Sequence, residues 1–94
     1  IQGRPNRRDR MDIIFEILHV INTGEMKKTR IMYAANLDWR NFKRHMGFLV
    51  ENGLISENGD STYILTKRGK SLLEKLAELK RFFDSDYGSS GKYL

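Results

Sequence analysis

The chain has 94 residues, of which 39% are hydrophobic, and it carries a formal net charge of +5 at neutral pH. This length allows one small domain with a modest core, and the hydrophobic content is too high for a wholly disordered chain. The absence of cysteine excludes disulfides, thiolate metal sites and a cysteine nucleophile, and no apolar run approaches the roughly 20 residues of a membrane span. We therefore expect a cytoplasmic protein with no membrane partner.

The positive charge is concentrated in three segments, residues 1–10, 26–44 and 66–83, and the segments between them are acidic. Charge arranged in blocks favours a polyanionic partner such as nucleic acid. The alternative is that these segments are solvated basic surfaces with no partner.

Residues 1–9 are predicted to form a flexible basic arm, because they contain glycine, proline and asparagine and show no hydrophobic periodicity. Asp9 is then in position to cap a first helix from about Arg10 to Ile21. The hydrophobic residues of this helix recur at helical spacing over more than half of its circumference, so we expect it to pack on two sides.

Two further helices are predicted in close succession. The second runs from about Lys28 to Ala35, with Asn36 in the left-handed conformation at its end. Asp38 caps the third, which runs to about Asn52. The short connection requires these helices to cross sharply, as in a helix-turn-helix. The predicted buried residues are Ile31, Met32, Ala34, Leu37, Phe42, Met46, Leu49 and Val50.

A β-hairpin follows, with strands at Leu54–Glu57 and Thr62–Leu65. Asn58-Gly59 favours a primed turn, in which both central residues have positive φ. Three helices followed by a hairpin is the order of elements in a winged helix.

The last helix is predicted from Lys67 to about Phe83, with Thr66 as its cap. Its hydrophobic residues are spaced 4, 3 and 4 apart, which is the pattern of a coiled-coil seam and favours a homodimer. The alternative is that they pack on their own domain. The predicted interface residues are Leu72, Leu76, Leu79 and Phe83.

Three stretches, KTRIMYAANL, LVENGLI and YILTKRGK, make the chain resemble the small archaeal winged helix-turn-helix proteins of the Sulfolobus 10a chromatin type over about residues 10–83. The resemblance implies a mainly α fold with a small β-hairpin. In such a fold a winged-helix domain, here residues 10–66, carries a long C-terminal helix, here 67–84, that forms an antiparallel coiled-coil dimer. It also implies binding of double-stranded DNA, either as a nucleoid-associated architectural protein or as a transcriptional regulator. The arm and a flexible tail, residues 85–94, lie outside it.

The third helix carries the strongest candidates for DNA contact. Its first half is suited to the major groove, where arginine can pair with guanine and asparagine with adenine. We therefore predict base contacts by Arg40, Asn41 and Arg44 and a phosphate contact by Lys43. The alternative is an ordinary solvated helix face.

The start of the second helix is a candidate phosphate site, because free backbone N–H groups and the helix dipole attract anions there. The residues concerned are Lys27, Lys28, Thr29 and Arg30. Tyr33 is equally suited to a phosphate contact and to packing. Trp39 is suited to packing or to stacking at the edge of the groove.

The predicted wing contains Glu57 and Asp60 and no cation, so we expect it to contribute little to DNA binding. The basic arm is a possible substitute, since such arms enter the minor groove in other proteins. An arm that touches nothing is the alternative. The arm's cations, with the first residue of the helix, are Arg4, Arg7, Arg8 and Arg10.

The sequence predicts no enzyme, no catalytic or metal site and no cofactor. His19 and His45 are expected at the surface or at its boundary, and no motif for a metalloprotease, a phosphate-binding loop or a nucleophile and its base is present. A protein-interaction module is the alternative from another functional class, because the acidic wing is compatible with it.

Overall fold

The computed structural model describes residues 8–24 and 26–83 of the chain. They form four helices and a three-stranded antiparallel sheet, which together make the predicted winged helix. In chain order the elements are α1 (Arg10–Ile21), β1 (Met26–Lys27), α2 (Lys28–Ala34), α3 (Trp39–Glu51), β2 (Ile55–Glu57), β3 (Thr62–Leu65) and α4 (Lys67–Phe83).

Three side chains cap the helices as predicted. The Asp9 carboxylate accepts a hydrogen bond from the Asp12 amide at 2.9 Å, and the Asp12 carboxylate accepts one from the Asp9 amide at 3.3 Å. Helix α1 therefore begins with a capping box. Asp38 accepts from the Asn41 amide at 2.8 Å at the start of α3. Thr66 accepts from the Gly69 amide at 3.0 Å at the start of α4.

The connection between α2 and α3 also follows its local sequence. Asn36 has a φ of 56°, the left-handed conformation predicted for it. Gly53 has a φ of 71° just after α3, where glycine avoids the clash that a Cβ would introduce. The turn at Asn36 sets the angle at which α3 crosses α2.

The core lies between the four helices and the sheet, and its largest fully buried side chains are Ile17, Leu18, Ile21, Ile31, Phe42 and Leu49. Two predicted core positions are wrong, because Val50 and Ala34 are exposed. Their places are taken by His45 and Ala35, which are buried. The buried stripe of α3 is therefore rotated toward α1 and includes a histidine that the sequence pattern places at the surface or its boundary.

The sheet has the strand order β1-β3-β2 and contains a strand that the sequence did not predict. In β1, Met26 pairs with Tyr63 and Lys27 with Thr62. A two-residue strand shows no periodicity, so only its partner reveals it.

The wing turn differs from the prediction. Positive φ angles occur at Gly59, Asp60 and Ser61 and not at Asn58, and Glu57 pairs with Tyr63. The loop is therefore longer than a two-residue primed turn, and that prediction is wrong. The Thr62 hydroxyl donates to the Asn58 carbonyl at 2.8 Å, which stabilises the longer loop.

The fourth helix packs along α1, and its Leu73 and Leu76 are buried in the core. Near its other end Lys80 Nζ lies 3.2 Å from Asp12 Oδ1, and this hydrogen bond is the main reason that the pKa of the Asp12 carboxyl is lowered. None of the described helices combines the length and the hydropathy that crossing a bilayer requires.

Candidate nucleic-acid interface

The outer face of α3 carries three exposed cations, Arg40, Lys43 and Arg44. They lie opposite the residues that α3 buries, as predicted from the helical period. Residues 39–50 contain no acidic side chain, so no carboxylate on this stretch of α3 offsets the charge. Within this helix the acidic side chain is Glu51 at its last residue, nearly two turns beyond Arg44, so the first half of the face is purely cationic.

Asn41 and Arg44 contact each other beside this face. Arg44 Nη2 donates to Asn41 Oδ1 at 2.7 Å, and Asn41 Nδ2 donates to Asp38 Oδ2 at 3.2 Å. Both ends of the Asn41 amide are therefore engaged within the protein. These hydrogen bonds fix the orientation of the Asn41 amide, so a base contact by Asn41 would have to use its second N–H and the second lone pair of Oδ1 or displace these partners.

Trp39 joins α2 and α3 at the edge of the cationic face. Its ring stacks on Phe42 with the centroids 6.0 Å apart, and Lys28 Nζ and Lys43 Nζ lie 5.3 Å and 5.8 Å from its centroid. The residue is still 49% exposed. Trp39 therefore packs on Phe42, as one interpretation predicted, and its ring also remains accessible for the stacking at the groove edge that the other interpretation proposed.

The start of α2 is tied to the wing. The Lys28 amide donates to the Ser61 carbonyl at 2.9 Å, so one of the N–H groups predicted to be free for phosphate is occupied. The side chains of Lys27, Thr29 and Arg30 remain exposed. Tyr33 is 77% exposed, so it does not pack into the core of its own domain.

The wing exposes Glu57 and Asp60, as its sequence suggested. The pairing of β1 with β3 adds Lys27 beside it, opposite Thr62. A cation thus stands next to the acidic wing, which the linear sequence could not indicate.

Burial, together with the Glu57 carboxylate, raises the pKa of the Tyr63 phenol, which therefore stays neutral near pH 7.

The predicted arm is ordered at its last residues. Arg8 binds the Glu16 carboxylate, and it donates to the carbonyl oxygens of Ala35 at 2.7 Å and Asn36 at 3.1 Å. The side chain thus links the start of α1 to the end of α2. Arg4 and Arg7 lie outside the described residues.

The sequence profile of winged helix-turn-helix proteins matches residues 7–83. The chain belongs to the winged helix-turn-helix family. Its resemblance to archaeal members is confirmed by the relatives described next.

An uncharacterized protein of Methanocaldococcus jannaschii, MJ0287, is 49% identical over 84 residues, which are 89% of this chain and 86% of that one. Among solved structures, Sso10a-2, a DNA-binding protein from Sulfolobus solfataricus, superimposes with a TM-score of 0.75 at 26% identity, over 92% of this chain and 93% of that one. A MarR family transcriptional regulator from Silicibacter pomeroyi, SPO1453, shares the fold with a TM-score of 0.71 at 20% identity, over 86% of this chain and 60% of that one.

An apolar groove runs between α1 and α4 of this winged helix. It consists of two adjoining cavities of about 590 and 240 Å³, which share Met11 and Leu76 in their linings. Leu72 lines the first, and Leu79 and Phe83 line the second. All four residues of the predicted seam therefore border one groove, although Leu76 is buried against its own domain while Leu79 and Phe83 are 48% and 51% exposed.

The described residues contain no cluster of His, Asp and Glu side chains suited to a metal ion. His19 is exposed and stacks on Phe15, with the ring centroids 5.7 Å apart. His45 is buried on another helix. His45 lines a pocket together with Arg8, Arg10 and Arg44. The sequence pattern did not bring these residues together, because they come from separate segments; the signal in the sequence was the cluster of arginines around the start of α1.

Proposed function

We propose that the protein binds double-stranded DNA through the outer face of α3 and the start of α2. The observation that carries this proposal is the exposed, acid-free row of Arg40, Lys43 and Arg44 on the third helix of a winged helix. A helix of this kind fits the major groove, and its cations neutralise phosphates. The DNA-binding protein Sso10a-2, similar over nearly its whole length, supports the proposal.

We assign Lys27, Lys28, Thr29 and Arg30 to phosphate contacts that position the protein without reading sequence. Lys28 supports a continuous surface, because it and Lys43 flank the Trp39 ring from α2 and α3. Arg7 remains a proposed contact from the arm. For Arg8 the proposal is weaker, because its guanidinium already binds Glu16 and two carbonyl oxygens.

We favour an architectural, nucleoid-associated role over sequence-specific regulation. Of the three candidates for base contact, Asn41 and Arg44 are hydrogen-bonded to each other, and Asn41 is also hydrogen-bonded to Asp38. Arg40 is therefore the candidate whose side chain is most available for a base contact. Contacts to phosphates alone carry no sequence information. Selection from random duplexes tests the choice, and a sharply defined binding motif would favour the regulator.

We also propose that the protein is a homodimer in which α4 of each copy lies in the α1–α4 groove of the other as an antiparallel coiled coil. The seam predicted from heptad spacing, Leu72, Leu76, Leu79 and Phe83, borders this groove. The exposed Phe82 ring contacts Phe83 edge to face, with the centroids 5.4 Å apart. Two DNA-binding faces on one elongated dimer could hold two duplex segments or two sites on one duplex.

The first experiment is fluorescence anisotropy with two unrelated duplexes over a salt series. We expect similar affinity for both and a steep salt dependence. Arg40→Ala/Lys43→Ala should weaken binding to both and lower the salt slope by about 1 for each removed cation that had met a phosphate. Lys70→Ala/Arg81→Ala removes the same charge from exposed positions of α4 and should have a much smaller effect.

Two results would contradict the proposal. Equal losses of affinity in the two double variants would mean that only net charge matters. If the wild-type protein does not bind DNA at low salt, the DNA-binding proposal is wrong. A protein-interaction module would then be the function to test.

A further inference from the structure

A basic pocket lies between the start of α1 and the flank of α3. Its volume is about 420 Å³, and it is lined by Arg8, Arg10, Ile13, Arg44, His45 and Phe48. Three of these residues are arginines and one is a histidine, whereas no carboxylate is among the described residues that line it. The pocket lies away from Trp39 and Lys43, which border the opposite flank of α3.

Arg10 is oriented toward the pocket without an acidic partner. Its Cζ lies 4.6 Å from the centroid of the Phe48 ring, so the guanidinium stacks on the ring. Stacking fixes the plane of the group while its in-plane N–H donors remain available. Among the described residues the ion pairs are those of Arg8 with Glu16 and Lys80 with Asp12, so the charge of Arg10 is unpaired there.

Arg44 and Arg8 differ in how far their charges are compensated. Arg44 donates to the neutral Asn41 amide and has no carboxylate partner in the described chain. Arg8 is held by Glu16 and by two backbone carbonyls, so it forms a fixed wall of the pocket. Its guanidinium has five N–H donors, so these three acceptors do not exhaust it.

His45 forms the base of the pocket and is only 7% exposed. No hydrogen bond to its ring occurs within the described part of the chain. Burial is the largest cause of its lowered pKa, and the charges of Arg44, Arg10 and Arg8 follow. Three cations thus converge on one buried imidazole, and an anion among them would relieve their mutual repulsion.

We propose that this pocket binds a phosphate group, with Arg10 and Arg44 as charged donors and His45 as an imidazole donor. Bidentate arginine contacts suit the geometry of a phosphate. The phosphate can belong to a free ion or small phosphorylated molecule, or to the backbone of a DNA duplex. The second source rests on the proposed function, whereas the first does not.

The test for a free phosphate follows the His45 ring by NMR. Inorganic phosphate replaces sodium chloride at constant ionic strength, and sulfate serves as a second probe whose charge does not change near neutral pH. We expect a saturable shift of the His45 resonances in the wild type and in Arg81→Gln, a matched change on α4. Arg10→Gln should weaken binding about tenfold, as for the loss of a charge-assisted hydrogen bond.

The test for a DNA phosphate uses the same variants with a duplex. If the backbone fills the pocket, the duplex shifts the His45 resonances, and Arg10→Gln lowers both the affinity and the salt slope, the latter by about 1. Arg81→Gln should change neither by a comparable amount. Circular dichroism of Arg10→Gln checks that α1 remains folded.

The outcomes separate this inference from the proposed function. A His45 response to phosphate or sulfate that Arg10→Gln weakens supports a pocket for free anions, even if the protein binds no DNA. A response to duplex alone supports the DNA source. If neither phosphate, sulfate nor a bound duplex perturbs His45, or if Arg10→Gln and Arg81→Gln behave alike, the inference is overturned.

Discussion

Arg44 and Asn41, two of the three side chains proposed for base contact, are hydrogen-bonded to each other: Arg44 Nη2 donates to Asn41 Oδ1 at 2.7 Å. Asn41 is further anchored by its hydrogen bond to Asp38. The arrangement couples the cap of α3 to its outer face. It also makes the role of Asn41 a direct test of whether the protein reads sequence.

Asn41→Ala should leave the affinity for two unrelated duplexes within about twofold of the wild type, because phosphate contacts dominate sequence-independent binding. The substitution keeps the backbone N–H of residue 41, which donates to the Asp38 cap of α3. Asn52→Ala, at the other end of the same helix, is the matched control. A correct bidentate base contact is worth about 1–3 kcal/mol, so a tenfold loss of affinity on one duplex alone would contradict the architectural hypothesis.

Two glycine-to-alanine substitutions should change stability in opposite directions. A Cβ on Gly69 would lie 2.0 Å from the Leu54 carbonyl oxygen, and backbone cannot move aside cheaply. We expect Gly69→Ala to lower the free energy of unfolding by about 2–3 kcal/mol or more, as severe overpacking does. Gly47, inside α3, meets nothing within 4 Å, so Gly47→Ala should raise it by about 0.5–1 kcal/mol.

Denaturant unfolding of both variants measures this contrast. Equal effects would show that the close approach of α4 to Leu54 is not maintained in solution. The comparison is sensitive because helix propensity favours alanine at both positions, and only the contact at Gly69 opposes it.

Leu79→Asp should convert the proposed dimer to monomers, because it places a charge in an apolar interface while leaving the buried core of each domain intact. Sedimentation or light scattering over a range of concentrations measures the change. Glu78→Lys, on the adjacent solvent-facing side of α4, should leave the mass of the assembly unchanged. A wild-type protein that stays monomeric at high concentration would remove the dimer from the proposal.

Stability should fall as the pH drops below the ordinary histidine pKa of about 6.5. Burial and the three arginines lower the pKa of His45 in the folded state, so the unfolded chain takes up a proton first. The contribution of His45 is therefore complete above that pH and is lost on acidification. The charged groups of the described residues that act on His45 are Arg44, Arg10 and Arg8, and each of them disfavours the protonated imidazole.

Unfolding curves at several pH values, with the His45 pKa measured by NMR, test this prediction. Arg10→Gln removes one of the cations and should raise the His45 pKa and flatten the pH dependence. Arg81→Gln is the control. If the pKa of His45 is the same in the wild type and in Arg10→Gln, the charge of Arg10 does not affect the protonation of the His45 ring.

The sequence by itself determined the features whose causes are local. Asp9, Asp38 and Thr66 cap their helices because a side-chain oxygen can reach an amide three residues away, and Asn36 takes the left-handed turn for which its residue type is suited. The order of three helices, a hairpin and a long helix followed from these signals and from hydrophobic spacing. The outer face of α3 was predictable from its helical period.

Only the tertiary structure decided the features that depend on contact between distant segments. Strand β1 exists because β3 offers it partners. The buried stripe of α3 includes His45, which shares a pocket with Arg10 and Ile13 of α1, whereas Val50 on the other flank is exposed. Arg8 is held against the folded domain and not in a flexible arm, because its guanidinium donates hydrogen bonds to carbonyl oxygens at the end of α2. Burial and long-range pairing arise from the packing of whole elements, and no local pattern encodes which flank of a helix its neighbours will cover.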